Sequence, residues 1–489
     1  MAIRDDVLVV GGGLAGMTAA LAAAREGASV RVVTDSESTL QQASGLVDVL
    51  GYPNPHDARD GDRDGDGGDA GDGSSAPPVA NPFDAIDSLP EDHPYQLVGV
   101  DALRGGLAIF DDATGDLYRG GHTERNALVP TVGGTVKPTA RYPASVAPGL
   151  ASDDRTTLLV GFDGDTDVDA PNVAAHLRAV GVPFDVGGVT VEFPGDPDGT
   201  DQQTRLAHAL DTDEDGVRRR LAERVKRSLK RADDVFGDAS DTDEGAATGS
   251  AVAGFGDVER VGLPAVLGRD RPRQVRDALA EHLDAAVFEL PPAPPSLPGV
   301  RLRYRLRDAL RDAGVAVTTG NPVVDHDVEP GAGDGGDAGK NAAPRITTIY
   351  ADRNGTRTPY EPEAVVLATG GLVGGGIDSE RDAVYEPVFD CPVSHPEDRY
   401  DWSDADAFGS HAFARFGVRI DADGRVLDAD GDPLYANLTA AGGVVGGYDA
   451  AAEKSASGVS LATGYVAGRT ASADASSSHP TPTDVTADR

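Results

Sequence analysis

The sequence contains a single cysteine, Cys391, among its 489 residues. One cysteine cannot form an intrachain disulfide, and it cannot supply the set of thiolates that holds an iron–sulfur cluster. The chain therefore has no disulfide framework of its own. We expect any iron–sulfur cluster that acts with it to belong to a partner.

Long hydrophobic runs are also absent. No apolar stretch approaches the roughly 18 residues of a membrane-spanning helix. Arg4, Asp5 and Asp6 precede a short apolar run that leads directly into glycine, which is unlike a signal peptide. We therefore expect a soluble, cytoplasmic protein whose attachment to a membrane, if there is one, is made through a partner.

Positive charge is scarce, because 81 acidic residues face only 43 basic ones and the net charge at pH 7 is −38. At low salt such a surface repels itself, whereas at molar salt the Debye length falls to about 3 Å and the repulsion is screened. We infer a cytoplasm of very high salt, as in halophiles. The same charge argues against nucleic acid as a partner.

The most informative segment that is present lies at residues 7–34. An apolar strand leads into a glycine turn, an alanine-rich helix follows, and a second apolar strand completes a βαβ unit. Its turn carries the dinucleotide fingerprint, in which successive glycines allow a tight turn, the approach of a pyrophosphate and close packing of helix on strand. The predicted cofactor-binding residues of this turn are Gly11, Gly12, Gly13, Leu14, Ala15 and Gly16.

One position departs from this fingerprint. An acidic residue at the end of the second strand normally holds the adenosine ribose. That position is Thr34 here, and the carboxylate of Asp35 comes one residue late. Successive residues of an extended chain point to opposite faces, so Asp35 is not an equivalent replacement. A complete dinucleotide is predicted, but without its usual ribose ligand.

Three further segments could contact the same cofactor. The polar loop 36–45, with Ser38, Ser44 and Gly45, is either a cofactor-binding loop or a plain surface loop. An apolar strand within 363–371 ends in an Ala-Thr-Gly-Gly run, and a glycine-rich strand and a helix follow at 437–447 and 458–469. The predicted cofactor-binding residues in these last segments are Thr369, Gly370, Gly442, Gly443, Gly446, Gly447, Gly458 and Val459.

This order of glycine segments is typical of two-domain flavoproteins. The final helix is expected to place its N-terminus at the flavin ring, where the positive end of the helix stabilises negative charge. The predicted fold class is α/β, a discontinuous Rossmann-like FAD/NAD(P)-binding domain formed by 1–145 and 341–470. A second α/β domain, 146–340, is inserted between them, with an acidic disordered insertion at 53–82 and a disordered tail at 471–489.

Low-complexity acidic segments also recur at 195–201, 237–249 and 330–341, and we expect them to be mobile. Within 53–82, Asp60, Asp62 and Asp64 resemble the start of a calcium-binding loop. The twelfth position of that loop is Gly71 rather than glutamate, so we expect an acidic linker and no metal site.

Basic residues in two places invite a functional interpretation. Lys137 and Arg141 follow a glycine pair in 131–142, where a cation could hold a phosphate or carboxylate, although solvated charges at a turn are the more ordinary interpretation. A predicted amphipathic helix at 217–235 carries the only basic run of the chain. That run is either a solvated face paired with neighbouring acids or a docking surface for an acidic partner.

A family resemblance is carried by residues 11–16, 33–34, 43–45, 48, 93–95, 294–296, 299–302, 367–371, 416–418 and 437–449. On these residues, most of the chain resembles the B-subunit family of the anaerobic glycerol-3-phosphate dehydrogenases. Thr34 in place of the acid is itself part of that likeness, and the acidic insertions are the departures. The more distant fumarate-reductase-like flavoproteins are similar in architecture, and their flavin-contacting loop looks like 38–45.

The resemblance implies a subunit of a complex at the inner face of the cell membrane that oxidises sn-glycerol 3-phosphate to dihydroxyacetone phosphate. The implied partners are a sister FAD-dependent catalytic subunit and an iron–sulfur, membrane-anchoring subunit that passes electrons to quinone. The resemblance implies FMN as the cofactor. The fingerprint itself favours FAD, because its glycines serve a pyrophosphate that FMN lacks.

For that reaction, a base must take the hydroxyl proton while a hydride leaves carbon 2 of the substrate. The candidates are His93 or His411 for the base, and Lys137, Arg141 or Arg301 for the phosphate. Two alternatives remain open at this point. The chain is a flavin relay or scaffold without a substrate site, or it is a free fumarate-reductase-like FAD oxidoreductase.

Overall fold

The computed structural model describes residues 2–52, 77–164, 168–195, 202–229, 258–292, 296–331, 343–406 and 409–478. The predicted insertion 53–82, the calcium-like aspartates within it, and the low-complexity segments 195–201, 237–249 and 330–341 lie wholly or largely outside these residues. So do residues 479–489 of the predicted tail.

The strands of the described chain are short, and those of residues 157–319 alternate with helices. In chain order they are β1 Val7–Val10, β2 Val30–Thr34, β3 Tyr118–Arg119, β4 Ala127–Pro130, β5 Val136–Thr139, β6 Tyr142–Pro143, β7 Thr157–Phe162, β8 Val186–Val191, β9 Arg260–Pro264, β10 Ala286–Leu290, β11 Ala316–Thr319, β12 Val323–Glu329, β13 Arg345–Arg353, β14 Thr356–Tyr360, β15 Ala364–Leu367, β16 Asp378–Ser379, β17 Val384–Tyr385, β18 Val393–Ser394, β19 Gly417–Val418 and β20 Leu438–Ala440.

The α-helices of the same residues are α1 Leu14–Arg25, α2 Pro82–Ala85, α3 Pro94–Val98, α4 Val100–Thr114, α5 Ala170–Val180, α6 Gln203–Thr212, α7 Val217–Leu229, α8 Pro272–Leu283, α9 Leu297–Asp312, α10 Ala450–Glu453 and α11 Ala456–Ser478. None of the helices within the described ranges combines the length and apolar character needed to cross a bilayer.

The chain divides into two compact units. Unit 1 comprises 1–39, 48–113 and 305–489, and unit 2 comprises 40–47 and 114–304. Unit 1 contains a five-stranded sheet in the order β11-β2-β1-β15-β20, with every pair parallel. Strands β1 and β15 are fully buried, as expected for central strands of a parallel sheet, which read as continuous apolar runs.

Unit 2 has its own parallel sheet of four strands in the order β10-β9-β7-β8. Its main core consists of apolar side chains from these strands and from α6, α7 and α8, including Leu158, Leu221 and Leu279. Both units therefore have the α/β architecture that the alternation of strand and helix patterns predicts. The predicted fold class is confirmed for the described residues.

Two helices follow each other directly in unit 1. Helix α3 ends at Val98 and α4 begins at Val100, and Gly99 at φ 82° separates them. The basic helix α7 is described from Val217 to Leu229, and residues 230–235 of its predicted range lie outside the described residues.

The limits of the two units also differ from the predicted domain limits. Strand β11, which falls within the predicted inserted domain 146–340, pairs with β2 in the sheet of unit 1. Residues 471–478, assigned to a disordered tail, continue α11. Pairing between strands that are distant in sequence and packing of a helix end are long-range effects that composition does not report.

Candidate functional site

The three glycine-rich segments meet at one edge of the five-stranded sheet. Because β1, β15 and β20 are parallel neighbours, their carboxyl ends share that edge. The Ala368 N–H donates to the carbonyl of Val10 at 2.8 Å, and the Ala441 N–H donates to that of Leu367 at 2.9 Å. Ligands of open α/β sheets bind at this kind of edge.

The fingerprint glycines have separate tasks. Gly11 has φ +119°, and a Cβ on it would lie 2.1 Å from the carbonyl oxygen of Ala368. A Cβ on Gly16 would lie 2.1 Å from the carbonyl oxygen of Gly11, so this residue lets α1 pack against the turn. A Cβ on Gly13 would meet nothing within 4 Å. The backbone at Gly13 is thus open to a ligand.

The last glycine segment reaches the same turn. A Cβ on Gly442 would lie 2.5 Å from the Cβ of Ala15, and one on Gly443 would lie 3.0 Å from the backbone nitrogen of Gly371. Segments more than 400 positions apart in the sequence are therefore in contact at the edge of the sheet. Only glycine allows so close an approach of two backbones.

A cleft of about 310 Å³ lies along this edge, and it is lined by residues 10–13, 33–39, 322–323, 368–370, 374–375 and 387–388. Helix α1 begins in it, and its N-cap residue Gly13 makes no side-chain capping hydrogen bond. The first N–H groups of a helix have no acceptor within the helix, so they can donate to an anion.

A second feature of the cleft also fits a nucleotide. The Thr369 hydroxyl oxygen is buried and has no hydrogen-bond partner among the described residues. Buried hydroxyl groups are normally satisfied, so an orphan of this kind in a cleft is expected to find its partner on a ligand. The open Gly13 backbone, the uncapped helix and this hydroxyl together suit the phosphates and polar groups of a nucleotide cofactor.

Thr34 occupies the position at which an acidic residue normally binds the ribose, and its side chain is hydrogen-bonded to a neighbouring residue. The Thr34 hydroxyl donates to the carbonyl of Ser36 at 3.0 Å. Asp35 and Glu37 both contribute to the cleft wall. Glu37 also lies 3.7 Å from the guanidinium of Arg307. Carboxylates therefore line this end of the cleft although the usual position carries none.

Several predicted cofactor contacts at the other end are engaged within the protein. The N–H groups of Gly446 and Gly447 donate to the carbonyls of Val418 and Arg415, and that of Gly442 donates to the hydroxyl of Thr463. These three amides are not available to a flavin ring. Their contribution to the site is to fix the backbone of the 442–447 segment.

The N–H groups of Gly458 and Val459 are also hydrogen-bonded within the protein. The Gly458 N–H donates to the Asp48 carbonyl at 2.8 Å, and the Val459 N–H donates to the carbonyl of Ser455. A Cβ on Gly458 would lie 2.0 Å from the Tyr95 hydroxyl oxygen. The start of α11 is thus covered by other parts of unit 1, and the absence of a side chain at Gly458 allows this close packing.

The predicted loop 36–45 is divided between the units. Ser38 is buried and lines the cleft in unit 1. Ser44 and Gly45 belong to unit 2, where the Ser44 hydroxyl accepts the Leu46 N–H and the Gly45 carbonyl accepts the Tyr118 hydroxyl. Unit 1 therefore presents only the first part of that loop.

His93, one candidate base, is fully buried. Its Nδ1 accepts the Tyr95 N–H at 3.0 Å and caps α3, and its Nε2 lies 3.1 Å from Oε2 of Glu453. Both ring nitrogens are occupied, so this arrangement leaves neither of them for a substrate proton. The other candidate, His411, is partly buried, accepts the Asp404 N–H through Nδ1, and stacks on Phe413.

Arg301, a candidate phosphate ligand in unit 2, is engaged by a buried acid. Its guanidinium makes two hydrogen bonds to Glu289, of 2.7 and 2.9 Å, and two to the carbonyl of Gly268. Burial alone raises the pKa of Glu289. The charge and hydrogen bonds of Arg301, with those of Ser145 and the Leu267 N–H, outweigh burial and lower that pKa below its usual value.

The other two cationic candidates also lie in unit 2. Lys137 is on β5 and partly buried, and Arg141 is buried and donates to the carbonyl of Ala140 at 3.1 Å. The sequence suggests these three cations and His93 as substrate-binding residues on the basis of residue type alone. In the structure His93 belongs to unit 1, and the three cationic residues belong to unit 2.

Comparison with known proteins identifies the family. The chain is 54% identical over 479 residues to a probable B subunit of the anaerobic glycerol-3-phosphate dehydrogenase of Halobacterium salinarum, covering 97% of this chain and 99% of that protein. The chain belongs to the B-subunit family of the anaerobic glycerol-3-phosphate dehydrogenases. Another B subunit, from Vibrio cholerae, is 27% identical and is covered over 94% of its length, as is this chain.

The chain also matches a family model for cofactor binding. A family model described as "FAD binding domain" matches residues 6–459, so the chain also belongs to that family. Among solved structures, the open conformation of a flavocytochrome c3 fumarate reductase is 12% identical, with a TM-score of 0.33 and coverage of 97% of this chain and 79% of that one. This likeness is too weak to bear on function.

The match to an FAD-binding family corrects one expectation. FMN was expected as the cofactor from the resemblance to the B-subunit family, and the family model does not support FMN. The match agrees with the glycine fingerprint, whose geometry suits a pyrophosphate.

Some residues that line the cleft or hold its neighbours in this B-subunit family member are not indicated by the sequence. Pro322, Val323, Pro387 and Val388 line the cleft, and Glu453 is the partner of His93. The lining residues are apolar and carry no local signal. Glu453 lies between the predicted segments 437–447 and 458–469, and its pairing with a residue 360 positions earlier has no sequence signature.

Proposed function

We propose that this chain binds FAD along the cleft of unit 1. We further propose that it serves as a flavoprotein subunit of a complex that oxidises sn-glycerol 3-phosphate to dihydroxyacetone phosphate, and that electrons pass to quinone through an iron–sulfur partner. The observation that carries the proposal is the meeting of three glycine segments at one sheet edge, next to an uncapped helix. The names of the Halobacterium and Vibrio relatives supply the substrate.

The chain's own residues would bind and orient the cofactor. The N–H groups at the start of α1 would donate to the pyrophosphate, with Gly13 allowing its approach. The Thr369 hydroxyl would find its partner on the nucleotide, and Asp35 or Glu37 would accept hydrogen bonds from the ribose. The bound flavin would supply the acceptor for the hydride that leaves carbon 2 of the substrate.

The choice of FAD over FMN follows from the cleft. A flavin mononucleotide has a single phosphate and no adenosine. The cleft runs from the helix N-terminus along 33–39, which is where the adenosine half of a dinucleotide lies in this class of fold. The mass of the flavin released by heating the purified chain decides between the two cofactors.

A pair of glycine variants tests the cleft. Gly13→Ala places a methyl group where no protein atom lies within 4 Å, so we expect the folded stability to be unchanged. We expect FAD affinity to fall about tenfold or more, or about 1.4 kcal/mol of binding free energy. The measurement is titration of the flavin-free chain with FAD in high salt.

The second variant of the pair is the control, Gly133→Ala in unit 2, where the nearest atom to a new Cβ lies 3.7 Å away. It should leave both stability and FAD affinity unchanged. Full FAD affinity in Gly13→Ala would contradict binding along this cleft.

A second candidate function has a specific observation in its favour. His93 and Arg301, which were expected to serve the substrate, are occupied by Glu453 and Glu289. This favours a flavin relay subunit whose substrate site lies on the sister catalytic subunit. Bleaching of the isolated chain by glycerol 3-phosphate without oxygen supports an active subunit, and inertness until the sister is added supports a relay.

The remaining base candidate is tested in the assembled complex. If His411 takes the substrate proton, His411→Gln should lower the turnover number strongly, because a positioned base contributes about 10²–10⁴-fold. Full turnover in both His93→Gln and His411→Gln would exclude both histidines as the base.

A further inference from the structure

Unit 1 contains a group of buried polar side chains outside the cofactor cleft. His93, Glu453 and Ser455 are each 0% exposed. The Glu453 carboxylate accepts three hydrogen bonds: from His93 Nε2 at 3.1 Å, from the Ser455 hydroxyl at 2.8 Å, and from the Asp449 N–H at 3.0 Å. We call His93, Glu453 and Ser455 the buried clamp.

The hydrogen bonds define the proton position on His93. Its Nδ1 accepts the Tyr95 N–H, so that nitrogen carries no proton. The ring proton is therefore on Nε2, which donates to Glu453. The imidazole links the start of α3 to the carboxylate and has no further donor or acceptor to offer.

The clamp ties together three stretches that are distant in sequence. The main-chain carbonyl of Glu453 accepts the N–H groups of Gly51 and Tyr52, at 2.8 and 3.1 Å. The carbonyl of Asp92 lies 2.9 Å from the position a Cβ on Gly447 would take. The rings of His93 and Tyr448 are in edge contact, with centroids 5.9 Å apart. Residues 48–52, 92–95 and 447–458 thus meet at the clamp.

One of these stretches continues directly from the edge of the five-stranded sheet that carries the cofactor cleft, which we call the cofactor edge. Gly442 and Gly443, which contact Ala15 and Gly371, are joined to the clamp through residues 444–449. The amides of Gly446 and Gly447 are engaged by the 415–418 backbone. At the far end of this segment the Asp449 N–H donates to Glu453, and the Asp449 side chain accepts the N–H groups of Ala451 and Ala452. The buried carboxylate thus contributes to the anchoring of that end.

We propose that the buried clamp is a positioning device that fixes the 442–447 segment against the cofactor edge. The proposal rests on the proposed function, since the cofactor concerned is FAD. His93 is then a positioning residue that acts through Glu453 and not the base of the reaction. Loss of the hydrogen bond between His93 and Glu453 leaves the Glu453 carboxylate less firmly held. The 442–447 segment is then less well fixed, and cofactor binding is weakened.

Two substitutions of His93 separate its two bonds. A glutamine amide can place an N–H close to the position of Nε2, so His93→Gln keeps the donor to Glu453 and loses the cap of α3. An asparagine carbonyl can replace Nδ1 at the cap, so His93→Asn keeps the cap and loses the donor. A merely structural histidine would not distinguish these variants by cofactor affinity.

The test is titration of the flavin-free full-length chain with FAD in high salt, together with the absorption spectrum of the bound flavin. We expect His93→Asn to bind FAD about tenfold more weakly, with a shifted spectrum, and His93→Gln to stay within about twofold of the unaltered chain. His122→Asn, an exposed histidine of unit 2, is the matched control and should change neither quantity.

Equal FAD affinity and equal spectra for His93→Asn and the unaltered chain would overturn the proposal. If His93→Asn does not fold, as judged by circular dichroism, Ser455→Ala decides. It removes one hydrogen bond from the same carboxylate and should weaken FAD binding about threefold, and unchanged affinity would overturn the proposal. Failure of the unaltered chain to bind any flavin is a separate result that would overturn the proposed function and the clamp's role with it.

Discussion

At the scale of single residues, the stability of unit 2 depends on a buried ion pair. The side chains of Arg301 and Glu289 are 5% and 0% exposed, and hydrogen bonds satisfy both. Removing one member leaves the other as an uncompensated buried charge, which costs about 3–5 kcal/mol. An exposed pair such as Arg4 and Glu361 contributes only about 0–1 kcal/mol.

We therefore predict that Arg301→Met destabilises the chain by about 3–5 kcal/mol and Arg4→Met by less than about 1 kcal/mol. The double variant with Glu289→Met should recover much of the loss, because no charge is left unpaired. The measurement is equilibrium unfolding by guanidinium chloride at constant high ionic strength. Similar effects for the buried and the exposed arginine would contradict this account.

The same pair predicts a pH dependence. The folded-state pKa of Glu289 is lowered below its unfolded value of about 4.3. Ionised Glu289 therefore stabilises the fold fully above that value, and the contribution is lost as the pH falls through the lowered pKa. The acid side of the stability curve should be less steep in the double variant. An unchanged slope would show that Glu289 does not titrate with folding.

At the scale of secondary-structure elements, the cofactor edge depends on the close packing of α1 and α11. A Cβ on Gly464 would lie 2.6 Å from the Ala15 carbonyl, and one on Gly468 would lie 2.2 Å from the Ala19 carbonyl. Two helices approach this closely only where one of them lacks side chains at the contact. Glycine costs helix propensity, and here it permits the contact that places α1 under the cleft.

We predict that Gly464→Ala destabilises the chain by about 1–3 kcal/mol although alanine favours helix, because the added methyl group overpacks the contact. Ser477→Ala, at an exposed position of the same helix, should be neutral. Thermal unfolding in high salt measures both. A neutral or stabilising Gly464→Ala would show that the two helices are free to separate.

At the scale of the whole molecule, we expect the net charge of −38 to set the salt concentration at which the protein is stable. At 0.1 M salt the Debye length is about 10 Å and repulsion among the acids reaches many neighbours, whereas at 1 M it is about 3 Å. The relative from Halobacterium salinarum fits a protein that works in high salt.

We predict that dilution from molar to about 0.1 M potassium chloride lowers the unfolding temperature and releases bound flavin. An uncharged osmolyte at matched osmolarity is the control and should not restore the lost stability, because it does not screen charge. Unchanged stability and flavin content on dilution would rule out the halophilic interpretation.

The sequence alone determined the features that depend on local stereochemistry and periodicity. The glycines of 11–16 lie at the junction of β1 and α1, as their spacing predicts, with a positive φ at Gly11 and open space beside Gly13. Their role in cofactor binding stays a prediction. The α/β class followed from alternating apolar strands and helices. Membership of the B-subunit family was also predictable, since the motifs carry it along most of the chain.

Only the tertiary structure decided which polar residues are available for chemistry. From residue type alone, His93 is a candidate base, Arg301 a candidate phosphate ligand and Gly458 a candidate cofactor contact. In the structure, His93 is hydrogen-bonded to Glu453 and Arg301 to Glu289. The Gly458 N–H donates to the carbonyl of Asp48. Likewise, only the fold joined β11 to the sheet of unit 1. Such pairings arise between residues up to hundreds of positions apart, and neither residue carries a local sign of its partner.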